Sequence, residues 1–194
     1  MQTTTAIPKS FDFSAARLKG HAIGALICGV FGAAWIFQAV YLGAIATPVW
    51  LTAVAVLAGT LVVWSVTQLV SVRHAVYSSM GGKSWLASKA YWAIVAVEWL
   101  ACSVAANWLS RIGRYDLMPQ FLGVIVGLHF LPLAKIFRAP IYYWTGAAMA
   151  LGVLAALVIP AGHVRNIAAW GAGGLSLWAT AAVVLCKDRL SLRA

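Results

Sequence analysis

The chain reads as an all-α integral membrane bundle of six transmembrane helices with both termini cytoplasmic. Three observations carry this. Hydrophobic residues make up 63% of the chain and charged residues 9%, against roughly 25% charged in a soluble domain, so too few polar groups exist to cover a water-facing surface. The apolar residues gather in six stretches of about 20 residues or more, each long enough at ~1.5 Å rise per residue to cross a ~30 Å hydrocarbon core. Lys and Arg are divided unevenly between the connections, which orients the bundle.

Residues 1–20 form a polar segment ending in Lys9, Arg17 and Lys19, whose Phe11, Phe13 and Leu18 suit a short interfacial amphipathic helix. Residues 21–186 hold the spans. The first runs from His21 to Gly43 and is followed by Ala44-Ile45-Ala46, a small-residue pattern like a cleavage site. Its apolar region is longer than the roughly 7–15 residues of a signal peptide, so it is read as a span. The others run over Pro48–Val72, Trp85–Leu109, Met118–Phe137, Pro140–Ala161 and Ile167–Cys186, and residues 187–194 form a cytoplasmic tail.

With the N-terminus inside, Lys9, Arg17, Lys19, Arg73, Lys83, Lys89, Lys135, Arg138, Lys187, Arg189 and Arg193 lie on the inner side. Only Arg111, Arg114 and Arg165 lie outside. That asymmetry is the positive-inside pattern. The formal charge of +10 is spread between spans rather than gathered on one patch, which speaks against nucleic acid and for anionic lipid headgroups as the partner. Trp50, Trp108 and Trp170 are placed at the outer interface, and Trp85 with Tyr142-Tyr143-Trp144 at the inner one.

Small residues recur every four positions in Ala25-Gly29-Ala33 and in Gly146-Ala150, and Gly171, Gly173, Gly174, Ser176 and Thr180 lighten the sixth span. Such faces let helix backbones approach closely, within the bundle or at a partner subunit or second copy. Pro48, Thr52 and Gly59 are echoed by Pro140, Thr145 and Gly152, a short match of the kind an inverted repeat leaves.

Two ionisable residues lie deep within the spans: Glu98 on the third helix and His129 on the fourth. Each is a similar number of positions from the short connection around Gly113–Arg114, so an antiparallel hairpin puts them at one depth, about 15 Å from the outer end. Asn107 and Gln120 match each other likewise, but nine steps of ~100° place them on the opposite helix faces, near enough to the outer interface to find water. Glu98 and His129 are therefore expected to face inward, with Tyr91 and Cys102 on the Glu98 side and Trp92 and Trp99 flanking a candidate substrate or proton site. Burial opposes each charge and proximity favours the pair, which suits a proton relay, a site that reads a small polar solute, or a neutral hydrogen-bonded pair that only fixes helix packing. Pro132, three positions after His129, removes one helix hydrogen bond and predicts a kink.

Other chemistry is poorly supported. Gly82-Lys83-Ser84 resembles the end of a phosphate-binding loop, but Tyr77 occupies the required first glycine, so Met80-Gly81-Gly82-Lys83 reads as an inner turn. No metal site is expected: His21, His74 and His163 flank different helices, and no two histidines are spaced i, i+4. No cofactor is indicated, since a haem could take at most one axial ligand here, His129. Cys28, Cys102 and Cys186 show no disulfide or metal pattern and read as packing residues. Asp116 reads as a solvated ion pair with Arg111 and Arg114.

The run Gly127-Leu128-His129-Phe130-Leu131-Pro132-Leu133-Ala134-Lys135, followed by Tyr142-Tyr143-Trp144-Thr145-Gly146, resembles small bacterial polytopic inner-membrane proteins grouped as a domain of unknown function. That resemblance implies a multi-pass protein of the bacterial cytoplasmic membrane and carries no activity. Size and helix number are also similar to the substrate-binding subunits of vitamin transporters, an analogy of shape. The leading expectation is a small-solute transporter or solute-binding membrane subunit centred on Glu98 and His129. A membrane enzyme using the same pair as acid and base on a lipid or apolar substrate, and a non-catalytic partner or scaffold subunit, are the alternatives.

Overall fold

A computed structural model describes residues 10–43, 47–77, 89–137 and 139–191 of the chain. Six helices fill the described residues: α1 (Ser10–Leu42), α2 (Pro48–Tyr77), α3 (Lys89–Arg111), α4 (Met118–Phe137), α5 (Ile141–Ala155) and α6 (His163–Ser191). One-turn 3-10 segments, Tyr115–Leu117 and Ala156–Val158, lead into α4 and extend α5. All six helices are long and apolar enough to cross a membrane, and no strand occurs among the described residues.

The helices overrun the apolar stretches that predict them. α1 begins at Ser10, so the expected boundary at residue 20 lies inside one continuous helix. α6 runs on to Ser191, through the segment read as a tail. Hydrophobicity marks where lipid begins, whereas the backbone ladder continues into the headgroup layer as long as no breaker interrupts it. α4 passes through Pro132 and still ends at Phe137. The Met80–Lys83 turn, Trp85, Ala44–Ala46 and the first nine residues lie outside the described residues, as do the side chains of Phe11, Phe13 and His74.

Registers across the interfaces establish the topology. His21 meets Asp188, Trp178 donates its indole N–H to the Gly29 carbonyl at 3.0 Å, and Trp35 packs edge-on to Trp170. Along α1 the partner on α6 therefore moves steadily backwards, and the two helices are antiparallel. The same reasoning applies to α3–α4, where Trp108 packs on Phe121 and Tyr91 on Phe137, and to α5–α6, where the Thr145 and Thr180 hydroxyls bond at 2.7 Å and a Cβ on Gly152 would stand 3.0 Å from the Ala172 Cβ. The start of α1 and the end of α6 thus lie at one end of the bundle, here the near end. The α3–α4 and α5–α6 connections lie at the far end.

The core lies between α1, α4, α5 and α6, and includes Cys28, Phe130, Tyr142, Met149, Val153 and Leu185. α2 packs chiefly on α1, and α3 chiefly on α4. Both flanking helices leave most of their apolar surface uncovered by protein, as expected where hydrocarbon is the solvent.

Small residues set the closest approaches. A Cβ on Gly127 would stand 2.8 Å from the Gly146 carbonyl oxygen, and one on Gly174 would stand 2.9 Å from the Gly32 carbonyl oxygen. The expected small faces are thus used inside the bundle. Thr52 and Thr145, equated by the short repeat, have unlike surroundings. Thr52 is exposed and bonds only back to the Pro48 carbonyl, while Thr145 is buried against Thr180.

Three expectations need correction. Tyr142 is not an interfacial ring: it is buried and stacks on Phe130 with centroids 5.8 Å apart, because its place on α5 faces the core. Gln120 does not reach water. It is buried at the start of α4, where its amide nitrogen, suitably oriented, donates to the Leu117 and Asp116 carbonyls at 3.1 and 3.3 Å. Cys186 is exposed on the surface of α6, whereas Cys28 is buried and Cys102 half-buried.

Candidate functional site

The α3–α4 seam positions the deep polar pair. On α3, Tyr91, Ala105 and Leu109 are buried, and with Glu98 they fall at sevenfold and fourfold spacings along one helix face. Glu98 therefore faces α4 for the same reason that its apolar neighbours do. His129 lies on the flank of α4 beside the stripe that packs on α5. The two meet with His129 Nδ1 3.1 Å from Glu98 Oε2, and the side chains are only 11% and 19% exposed.

The contact has ion-pair distance without hydrogen-bond alignment, since Nδ1 makes no hydrogen bond in this geometry. The backbone carbonyl of Ile94, one turn before Glu98, also faces the imidazole. The edge of Phe130 stands against the ring at a centroid distance of 5.9 Å. The pair thus sits at an apolar seam with few polar neighbours, where one shared proton leaves it neutral overall. A second proton, or none, leaves a net charge that costs several kcal/mol in hydrocarbon.

The remaining expected site residues divide. Tyr91 is buried in the same seam, in edge-on contact with Trp92 at 5.3 Å. Cys102, one turn beyond Glu98, is half-buried. Trp92 and Trp99 are 56% and 63% exposed. Each is one residue past a seam position, so ~100° of helix rotation carries it to the outer flank. They face outward from the bundle and do not wall the pair. Asn107 is exposed and donates to the Ser103 carbonyl at 2.8 Å.

No family model, no curated protein and no solved structure matches this chain.

A second acid–histidine contact, unmarked by the sequence, joins α1 to α6 near the other end. His21 Nδ1–H donates to both Asp188 oxygens at 3.0 and 3.2 Å, and Asp188 is buried. Tyr142 brings its hydroxyl against Gly24, one turn along α1, and makes no hydrogen bond there. Asp116 also differs from expectation. It accepts from Arg114 Nε at 3.0 Å and from Arg165, and it pairs with these two rather than with Arg111. Arg165 is buried, because α6 begins at His163 and draws it into the bundle. Among the described residues no three His, Cys, Asp or Glu side chains converge as metal ligands would.

Proposed function

We propose that this protein is a proton-coupled small-solute transporter, or the solute-binding membrane subunit of one, with Glu98 and His129 as its titrating centre. The observation that carries this is the mid-span contact itself, an acid and an imidazole 3.1 Å apart across the α3–α4 seam. Intramembrane ionisable pairs mark ion and substrate pathways because their desolvation is too costly for packing alone to favour them. The seam also suits movement. α3 is held to the helical core through α4, so it can shift without disrupting the other interfaces.

The coupling follows from charge balance. With one shared proton the pair is neutral. A solute of single negative charge restores neutrality there only if a second proton enters with it. A cation does so only if the shared proton leaves. Tyr91 and Cys102 flank Glu98 as the polar neighbours of that exchange.

The setting is the bacterial cytoplasmic membrane, with the near end inside. The resemblance of the Gly127–Lys135 run to small bacterial inner-membrane proteins supports this, as does the crowding of Lys and Arg at that end, where they meet anionic headgroups.

The test uses full-length protein in proteoliposomes containing a trapped pH dye. Amino acids, carboxylates, sugars, nucleosides and amines are added singly. At least one solute is expected to drive proton movement in the wild type, reduced about 100-fold or more, the usual scale for losing a positioned proton-transfer group, in Glu98→Gln and in His129→Ala. Solute-driven signals that persist in both variants, or no signal from any solute in the folded wild type, reject the reading.

A further inference from the structure

The outward sides of α2 and α3 differ in chemistry and match in spacing. Thr52, Val56, Thr60, Val63 and Thr67 are all exposed and form one stripe along α2, at intervals of four, four, three and four residues. Asn107, Ser103, Trp99, Ala96 and Trp92 are all exposed and form a stripe along α3 at the same intervals, taken in the opposite direction. Intervals of three and four keep each stripe on one helix face.

The two stripes also lie at one depth. Thr52, Thr60 and Thr67 stand four, twelve and nineteen positions after Pro48, where α2 leaves the far end. Asn107, Trp99 and Trp92 stand four, twelve and nineteen positions before Arg111, where α3 reaches that end. Contacts carry the level of Thr60 across the bundle to that of Trp99. A Cβ on Gly29 would stand 3.5 Å from the Leu61 Cβ, Gly29 meets Trp178, Thr180 meets Thr145, a Cβ on Gly146 would meet Gly127, and His129 meets Glu98.

Donors on one stripe fall opposite acceptors on the other. Thr52, Thr60 and Thr67 each donate the hydroxyl proton to a carbonyl of their own helix, at 2.7, 2.7 and 2.8 Å, so each exposed oxygen keeps a lone pair for a further donor. Trp99 is exposed at mid-span, and its indole N–H makes no hydrogen bond among the described residues. Hydrocarbon offers that N–H no acceptor, and indoles settle at the headgroup level for this reason. Asn107 spends one amide N–H on the Ser103 carbonyl and has a second to give. A shallow groove of about 510 Å³, with Thr60, Val63, Trp64 and Thr67 in its lining, lies on α2 at the level of both tryptophans.

We propose that α3 of one copy of this chain packs antiparallel on α2 of a second copy. Trp99 sits in the groove and donates to the Thr60 hydroxyl oxygen, Trp92 covers Thr67, and Asn107 lies beside Thr52. The occupant is the chain itself, because lipid supplies no acceptor at mid-span, whereas the α2 stripe supplies one at the required depth. Since α2 and α3 run in opposite directions, both copies keep the same polarity in the membrane. α2 packs on α1 and α3 on α4, so the contact joins unlike flanks head to tail and repeats into a ring or a row. It goes beyond the Glu98–His129 reading and does not depend on it, because Trp92 and Trp99 face away from that pair.

Cross-linking tests the register in the full-length chain carrying Cys28→Ala, Cys102→Ala and Cys186→Ala. One population bears Ala96→Cys and another Val63→Cys, positions that face each other in this contact. Reconstituted together in phosphatidylcholine vesicles and oxidised with copper phenanthroline, they are expected to yield the mixed disulfide dimer in excess of either homodimer. Homodimers in equal or greater yield would place α3 on α3 or α2 on α2 and overturn the proposal, as would no cross-link between chains of wild-type helix content. Energy transfer between fluorophores on Lys187→Cys in the same background, followed as the protein is diluted with lipid, tests the bond itself. Trp99→Phe and Thr60→Val should each weaken association about three- to twentyfold, the range of one hydrogen bond between membrane helices. The double variant should be no weaker than the more damaging single one. Association unchanged in Trp99→Phe, or losses that multiply in the double variant, overturn the proposal.

Discussion

At the His21–Asp188 contact two groups that water would solvate strongly are held between α1 and α6, with the carboxylate side chain 5% exposed. Both carboxylate oxygens accept from one ring N–H position, so the acid's desolvation is offset by the bond from His21. Removing one member of such a pair leaves the other buried and uncompensated, at a cost of about 3–5 kcal/mol. Asp188→Ala is expected to lose that much stability in a denaturant titration in detergent. Asp188→Asn keeps an acceptor for the ring N–H and should lose about 1 kcal/mol. Equal losses in the two variants would show that side-chain volume, not the bond, matters at this position. The sequence does not reveal this pair, because its members are 167 positions apart and each stands close to a span boundary, where an ionisable residue needs no explanation. Glu98 and His129 are legible for the opposite reason. Both are mid-span, and both are tied by geometry to one short connection. Arg165 eludes the sequence because counting loop charges treats every Arg near a span end as solvated, while the early start of α6 buries this one.

Interfaces between helices obey a different constraint, since lipid is as apolar as the side chains and gives no hydrophobic drive to association. Close approach must supply the attraction, and glycine supplies close approach where α4 crosses α5. The helix propensity of glycine is about 1 kcal/mol poorer than that of alanine, so a Gly→Ala change in a helix with free space is stabilising. A Cβ on Gly59 of α2 would have nothing within 4 Å, whereas one on Gly127 would meet the Gly146 carbonyl and Ala150. Gly59→Ala is therefore expected to raise stability by up to about 1 kcal/mol. Gly127→Ala should lower it by about 1–3 kcal/mol, the cost of overpacking a close-packed contact. Thermal unfolding of the two variants side by side checks the opposite signs, and the same sign in both would mean that α4 and α5 do not meet as described. The small-residue spacing in the sequence indicates that such faces exist. It does not indicate their partners, because alanine-rich helices offer several equivalent registers. Which face of α4 meets α3 and which meets α5 is settled only by the whole set of contacts.

Across the whole molecule, charge and topology agree on a polarity. Because neighbouring helices run antiparallel, Lys19, Lys89, Lys135 and Lys187 fall at the near end and Arg111, Arg114 and Arg165 at the far end. A membrane potential and anionic inner-leaflet lipids both favour retention of the basic end inside. The polarity decides which way the proposed Glu98–His129 centre is approached. With the near end inside, the Arg114–Asp116–Arg165 cluster faces the external medium and the Glu98–His129 seam lies between that medium and the cytoplasm. With the opposite polarity the same cluster would face the cytoplasm. Single cysteines in a chain carrying Cys28→Ala, Cys102→Ala and Cys186→Ala report it directly. Ser110→Cys, on the exposed far end of α3, is expected to react with a membrane-impermeant maleimide in intact cells. Lys187→Cys, exposed near the end of α6, should react only after permeabilisation. The reverse labelling pattern would invert the molecule in its membrane, and with it the direction of the proposed transport, while leaving every helix contact in place.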